Sequence, residues 1–138
     1  MSSYQIARFP ETIAVVRLAP GAEIPEWAES SSIFSITATA TETSLVCAAR
    51  SVPAKARQQK PYTAFAVVPA EGSTDFDLAS GAVGVLVGLL TPLAEDGVPV
   101  FVLSTFDTDW VLVHKNDAEK AEQAWRRSGH EVAPAVPA

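Results

Sequence analysis

A repeat limits what this chain can fold into more than any other feature. Ile33-Phe-Ser-Ile-Thr-Ala-Thr39, a turn and Ser44-Leu-Val-Cys47 match Val100-Phe-Val-Leu-Ser-Thr-Phe106, a turn and Trp110-Val-Leu-Val113. Phe34 and Phe101 stand 101 − 34 = 67 positions apart, about half of the 138 residues. β-Branched and aromatic residues suit a pleated, half-buried surface, and the Thr, Asp and Glu between the runs favour turns. Each copy therefore predicts a two-stranded hairpin. Neither half is large enough to bury much core alone, so the two copies are expected to share a continuous interface.

Around the hairpins the chain alternates strand and helix signals. Thr12 to Leu18 reads as a first strand, ended by Ala19-Pro20-Gly21. Glu23 to Ala28 predicts a helical turn with Pro25 at its start, and Val52 to Gln58 a short helix. Tyr62 to Val68 is a strand after the break at Pro61, and Pro69 to Thr74 is a loop. Val83, Leu86, Val87 and Leu90 recur at helical spacing, with Pro92 taken as the end. Val85 and Leu89 make the other side of that helix apolar too, so it is buried on both sides or lies at a subunit interface. Gly81, Gly84 and Gly88 form a third stripe, open to a ligand or to tight helix–sheet packing. A last helix runs from about Asn116, its cap, to Arg127. Gly129 stops it, and an edge strand follows at His130-Glu131-Val132. The order βαββα in each half, closed by a fourth strand, predicts an α+β fold. It consists of two tandem ferredoxin-like βαββαβ sandwiches with antiparallel sheets and helices on one face. The boundaries fall at residues 1–61 and 62–132, with a disordered tail over 133–138.

Composition narrows the function classes. Hydrophobic residues make up 48%, which supports a packed core, and the net charge of −6 with a pI near 4.8 argues against nucleic acid or an anionic membrane. Arg50, Lys55, Arg57 and Lys60 read as a solvated face. Cys47 lies in an apolar run, where a thiol is inert packing. No signal peptide opens the chain, and the apolar run from Gly81 to Ala94 is too short to span a bilayer. A cytoplasmic soluble protein is expected.

The second hairpin concentrates chemistry at its mouth: Ser104, Thr105, Asp107, Thr108 and Asp109. Its Ser104-Thr-Phe-Asp-Thr-Asp-Trp-Val-Leu-Val113 stretch, Pro92-Leu-Ala-Glu95, Phe34-Ser-Ile-Thr37 and Ser44-Leu-Val-Cys47 carry a resemblance over about residues 4 to 128. The sequence resembles the small bacterial proteins built from two tandem ACT domains, which share this hairpin with cytosolic arginine sensors of the CASTOR type. The resemblance implies a regulatory module that binds an amino acid at an ACT–ACT interface. Its site would include Gly84 and Val85 on the helix and Ser104, Thr105, Phe106, Asp107 and Asp109 on the hairpin. The stretch Ala79 to Val83 is longer than the family pattern, and Gly81 is the alternative to Gly84. Chemistry supports the choice independently, since helix N-terminal amides suit a ligand carboxylate and Asp109 suits its ammonium.

Two other readings compete. Asp107-Thr-Asp109 after a strand can bring two carboxylates to one Mg²⁺, as in strand-end Asp-x-Asp phosphatases, but no phosphate loop or catalytic triad order accompanies it. Alternatively the aspartates only form a turn, Trp27 and Trp125 only pack, and the chain is a structural or interaction module. We expect no catalysis, no cofactor and no metal, and a homodimer, because edge strands and a helix apolar on two sides seek partners.

Overall fold

The computed structural model describes residues 3–68 and 84–135. Within them the elements run β1 (Gln5–Leu18), β2 (Ser35–Ala38), β3 (Thr43–Ala48), β4 (Gln58–Val68), α1 (Val85–Glu95), β5 (Val100–Ser104), β6 (Asp109–His114), α2 (Ala118–Arg127) and β7 (Glu131–Pro134). Single 3₁₀ turns occupy Ala49–Ser51 and Lys115–Asp117. The fold is mixed α+β with mainly antiparallel strands and few helices. The chain divides into two units, Met1–Pro10 with Thr63–Ala138, and Glu11–Tyr62.

In the first unit the strand order is β1-β4-β6-β5, with β7 parallel to β1 at Gln5↔Glu131 through Arg8↔Pro134. Its core joins Ile6, Phe65, Val111 and Val113 from the strands to Val85, Leu89, Leu93 and Trp125 from the helices. α1 buries Val85, Leu89, Pro92 and Leu93, a stripe at i, i+4, i+7 and i+8. That is the side read from sequence as secondary. Of the side read as primary, Leu90 packs against the same core, Leu86 is partly buried and Val87 is 69% exposed, while Val83 lies outside the described residues. Pro92 does not end the helix. It sits inside α1, and the chain turns two residues beyond Glu95, where Gly97 takes φ 72°. Val98 N–H donates to Leu93 O at 2.9 Å and Gly97 N–H to Ala94 O at 3.1 Å, so the last carbonyls are satisfied by a Schellman closure. Gly129 closes α2 in the same way, as expected. Asn116 does not cap α2: its own N–H donates to His114 Nδ1, and Asp117 stands at the cap position. β7 extends through Ala133 and Pro134, which therefore belong to a strand rather than to a disordered tail; residues 136–138 lie outside the described residues.

The second unit is a different construction. β1 pairs β3 from Ile13↔Ala48 to Leu18↔Thr43, and β3 pairs β2 from Ser35↔Val46 to Ala38↔Thr43. The short helix predicted over Val52 to Gln58 does not form, and of the helical turn predicted over Glu23 to Ala28 a single turn is present. Pro25 to Ala28 is a turn closed by Ala28 N–H to Pro25 O at 3.1 Å, and the stretch 52–57 is turns leading into β4. The apolar strip of Ala14, Val16, Leu45, Cys47 and Val52 is covered instead by Trp27 and Ala28, carried on the irregular segment between β1 and β2. Helix propensity was a weak prior here, and tertiary packing overrode it.

The repeat survives with a corrected register. Thr39 N–H donates to Glu42 O at 2.8 Å, and Thr105 N–H donates to Thr108 O at 2.8 Å. Matching these closures gives 105 − 39 = 66, one less than the offset read from the phenylalanines. Strand pairing agrees: Ala38↔Thr43 in β2–β3 corresponds to Ser104↔Asp109 in β5–β6.

Candidate functional site

The β5–β6 hairpin holds the predicted polar residues, but they are not equivalent. Phe106 and Asp107 form the tip, and both are exposed, Phe106 by 88%. Thr105 is spent on closing the tip, since its N–H and its Oγ1 both donate to Thr108 O, at 2.8 and 3.1 Å. Asp109 is the first residue of β6, paired with Ser104, the last of β5. Strand alternation places Asp109 with Val111 and Val113, whose side chains enter the core under the helices. Asp109 is accordingly only 6% exposed, and Ser104 Oγ donates to its Oδ1 at 2.5 Å. The two aspartates of the mouth therefore differ, Asp109 being buried and Asp107 exposed.

Gly84 precedes α1 in the left-handed region at φ 86°, and Gly88 N–H donates to its carbonyl at 2.9 Å as the first helical bond. A Cβ at Gly84 would meet nothing within 4 Å, so the backbone angle, not close approach, calls for glycine there. Gly88 is where packing is tight, with the Tyr4 ring 3.7 Å from a would-be Cβ. Gly84 supplies no side-chain cap, and the first turn of α1 contains no acidic residue. Val85 is buried in the same core as Val111. Gly81 lies outside the described residues. The short connection from Asp96 to Pro99 turns the chain back after α1, and helix and strand are each about 16 Å long. Ser104 and Asp109 face each other at the end of the β5–β6 ladder, next to the tip.

Other features bear on what the site can do. An open pocket of about 500 Å³ beside β1 and β7 is lined by Gln5, Ala7, Phe9, Glu131 and Pro134 among others, and none of the predicted residues lines it. Among the described residues, no group of three or more His, Cys, Asp and Glu side chains is placed to hold a metal ion. No helix among them is long and apolar enough to cross a membrane.

Sequence reasoning missed Glu11. Its carboxylate accepts from Ser30 Oγ at 2.7 Å, Ser31 N at 3.1 Å, Ser31 Oγ at 2.8 Å, Ser32 N at 3.0 Å and Ser32 Oγ at 2.5 Å, and it pairs with Arg50. Burial alone would raise its pKa, but the bonds from Ser32, Ser30, Arg50 and Ser31 outweigh that and hold the group well below the ordinary carboxylate range. Two signals could have exposed it, the lone acid ahead of an apolar strand and the Ser30-Ser31-Ser32 run. Arg50 is consequently not part of a merely solvated face, since it also pairs with Glu29 at 3.3 Å.

Comparison with known proteins follows the same division of the chain. Residues 62–127 match the ACT domain family model, and residues 11–55 match a second model described as an N-terminal domain. No curated protein matches the sequence. The fold is similar to the crystal structure of protein Atu0741 from Agobacterium tumefaciens, with TM-score 0.85 and 28% identity over 99% of this chain and 97% of that one. It is similar to VC0802 from Vibrio cholerae, a protein of unknown function described as a possible transport protein, with TM-score 0.73 and 17% identity over 92% and 91%. The regulatory subunit of aspartate kinase from Thermus thermophilus is a further match in fold, with TM-score 0.56 and 12% identity over 89% and 96%. The fold is therefore ACT-like, and the segment that matches the ACT domain family, residues 62–127, is the one that holds α1, the β5–β6 hairpin and α2.

Proposed function

We propose that this chain is a non-catalytic regulatory module that binds an amino acid at the end of the first unit where α1 begins and the β5–β6 hairpin closes, completed by a second copy. One observation carries this reading. Asp109 is a carboxylate 6% exposed, and among the described residues its sole partner is the neutral Ser104 hydroxyl. Burying a charge with so little compensation is costly, and a ligand ammonium would supply the missing cation. The start of α1, where Gly84 supplies no side-chain cap, offers backbone N–H groups for the ligand carboxylate. The ACT match and the regulatory aspartate kinase subunit of like fold agree with such a role.

A homodimer fits the same surface. Val87 is exposed on the outer side of α1, and β5 is the terminal strand of its sheet, with no charged residue in Val100–Ser104. Pairing along β5 would cover an edge that is open among the described residues, and pairing over α1 would cover Val87.

A thermal-shift screen of the twenty amino acids tests the proposal, because a ligand that binds only the folded state must raise its stability. The amino acid that shifts the transition is then titrated by calorimetry into wild type and Asp109→Ala. Loss of one charge-assisted hydrogen bond predicts an affinity about ten- to a hundredfold lower. No shift with any amino acid would overturn the reading. Unaltered affinity in Asp109→Ala together with loss in Asp107→Ala would move the site to the exposed tip.

A further inference from the structure

The Glu11 cluster has the form of a receptor site that already contains its ligand. Its donors converge from two places: amides and hydroxyls of Ser30, Ser31 and Ser32 at the end of the segment between β1 and β2, and the guanidinium of Arg50 from the 3₁₀ turn after β3. The carboxylate they hold comes from β1 and is 7% exposed. Arg50 is largely exposed, so its side of the cluster opens to water. Successive backbone amides with flanking hydroxyls and an arginine are the usual means by which proteins bind free carboxylates and phosphates.

What the occupant achieves is mechanical. The segment of residues 19–34 has no helix or strand, yet it is what lays Trp27 and Ala28 over Ala14, Val16, Leu45 and Cys47. Apart from the Glu11 cluster, its far end is tied by Ala48 N–H to Glu29 O at 2.8 Å and by the exposed Arg50–Glu29 pair. We propose that Ser30–Ser32 and Arg50 form a carboxylate-binding nest, that Glu11 is its built-in occupant, and that occupancy of the nest holds the 19–34 segment down as a strap over the core of the second unit. The nest's chemistry selects a carboxylate, whether it comes from Glu11 or from a small molecule. This inference lies in the other unit from the amino-acid site and stands or falls independently of it.

Cys47 makes the strap readable. It is the chain's sole cysteine, fully buried beneath the strap, and burial pushes its thiol pKa up, with the charge of Glu11 adding to the rise. Modification of Cys47 by a thiol reagent, followed over a pH series so that rates are compared per thiolate and the lost Glu11 charge drops out, therefore reports opening of the strap. The full chain is compared as wild type, Glu11→Ala and Glu11→Gln, in chloride and in acetate of equal ionic strength. Glu11→Ala is expected to react about tenfold faster or more in chloride and to return toward the wild-type rate in acetate. Glu11→Gln, which fills the nest without a charge, should react faster than wild type and ignore acetate. A Glu11→Ala rate equal to wild type would overturn the strap, and a fast rate equal in both salts would overturn the nest. If Glu11→Ala does not fold in chloride, folding restored by acetate supports the proposal, and failure in both salts refutes it.

Discussion

The β5–β6 hairpin is backed by two helices, whereas the β2–β3 hairpin, grown from the matching stretch of sequence, is backed by a strap. Their tips close with the same Thr-to-carbonyl bond, so the local turn chemistry is shared. Behind the tips they diverge at one pair. Where the second hairpin has Ser104 donating to buried Asp109, the first has Ala38 beside Thr43, which is 3% exposed and whose Oγ1 has no partner among the described residues. Equal backbones have thus come to hold unequal chemistry. One mouth presents a carboxylate and the other a stranded hydroxyl. The means of covering the core differ in kind as well. Helices cap their own backbone and bury a stripe by periodicity, while a strap has no internal ladder and must be tied by side chains.

The comparison breaks first at the anchors. Trp125 is fully buried, packs edge-on to Phe65 with centroids 4.9 Å apart, and donates from Nε1 to Leu89 O at 2.9 Å. Trp125→Ala should cost about 3–5 kcal/mol by chemical denaturation. Trp27 is only partly buried against its strip, so Trp27→Ala should cost clearly less. Equal losses would mean that strap and helix cover their cores equally well.

Next comes the tie itself. Glu11→Gln should destabilise by about 2–3 kcal/mol, the worth of lost hydrogen bonds to a charged group. The sign with pH follows from linkage. Because the folded pKa of Glu11 lies below its ordinary value of 4.5, its contribution is complete above that value and fades as pH falls through it toward the folded pKa. The stability gap between wild type and Glu11→Gln should therefore be constant at neutral pH and narrow below about pH 4.5. A gap that widens in acid would show that the clamp does not depend on the carboxylate.

Helix closure is a smaller matter. Gly97 sits at φ 72° with open space around a would-be Cβ, so Gly97→Ala should cost about 1–2 kcal/mol from backbone strain alone. The finest test is Ala38→Ser, which gives the first hairpin the hydroxyl that the second already has. Supplying a partner to Thr43 Oγ1 should stabilise by about 0.5–1.5 kcal/mol. No gain would mean that the two mouths differ in more than this pair.

Much of this architecture was legible in the chain. Two hairpins, the strong amphipathic pattern of α2 and its glycine stop follow from alternation, charge placement and turn residues, all of which act between near neighbours. The candidate site was legible in part. Ser104 and Asp109 were identifiable as a polar pair at a hairpin mouth, but not the burial of Asp109 against the exposure of Asp107, two residues away. That distinction needs the register of β5 against β6 and the helices above them.

The sequence by itself determined the periods and the punctuation: where strands could alternate, where helices could bury a stripe, and where the chain must turn. Tertiary structure alone decided that the helix read over Val52 to Gln58 would not form, that Pro92 could stay inside α1, and that Glu11 would be an anchor instead of a surface acid. The reason is range. A hairpin tip is closed by residues three apart, but the Glu11 cluster joins positions 20 and 39 residues distant, and Trp125 reaches Leu89 across 36. Such contacts form only once the fold has brought their partners together, and a local pattern such as the Ser30-Ser31-Ser32 run can mark one side of them but not name the partner.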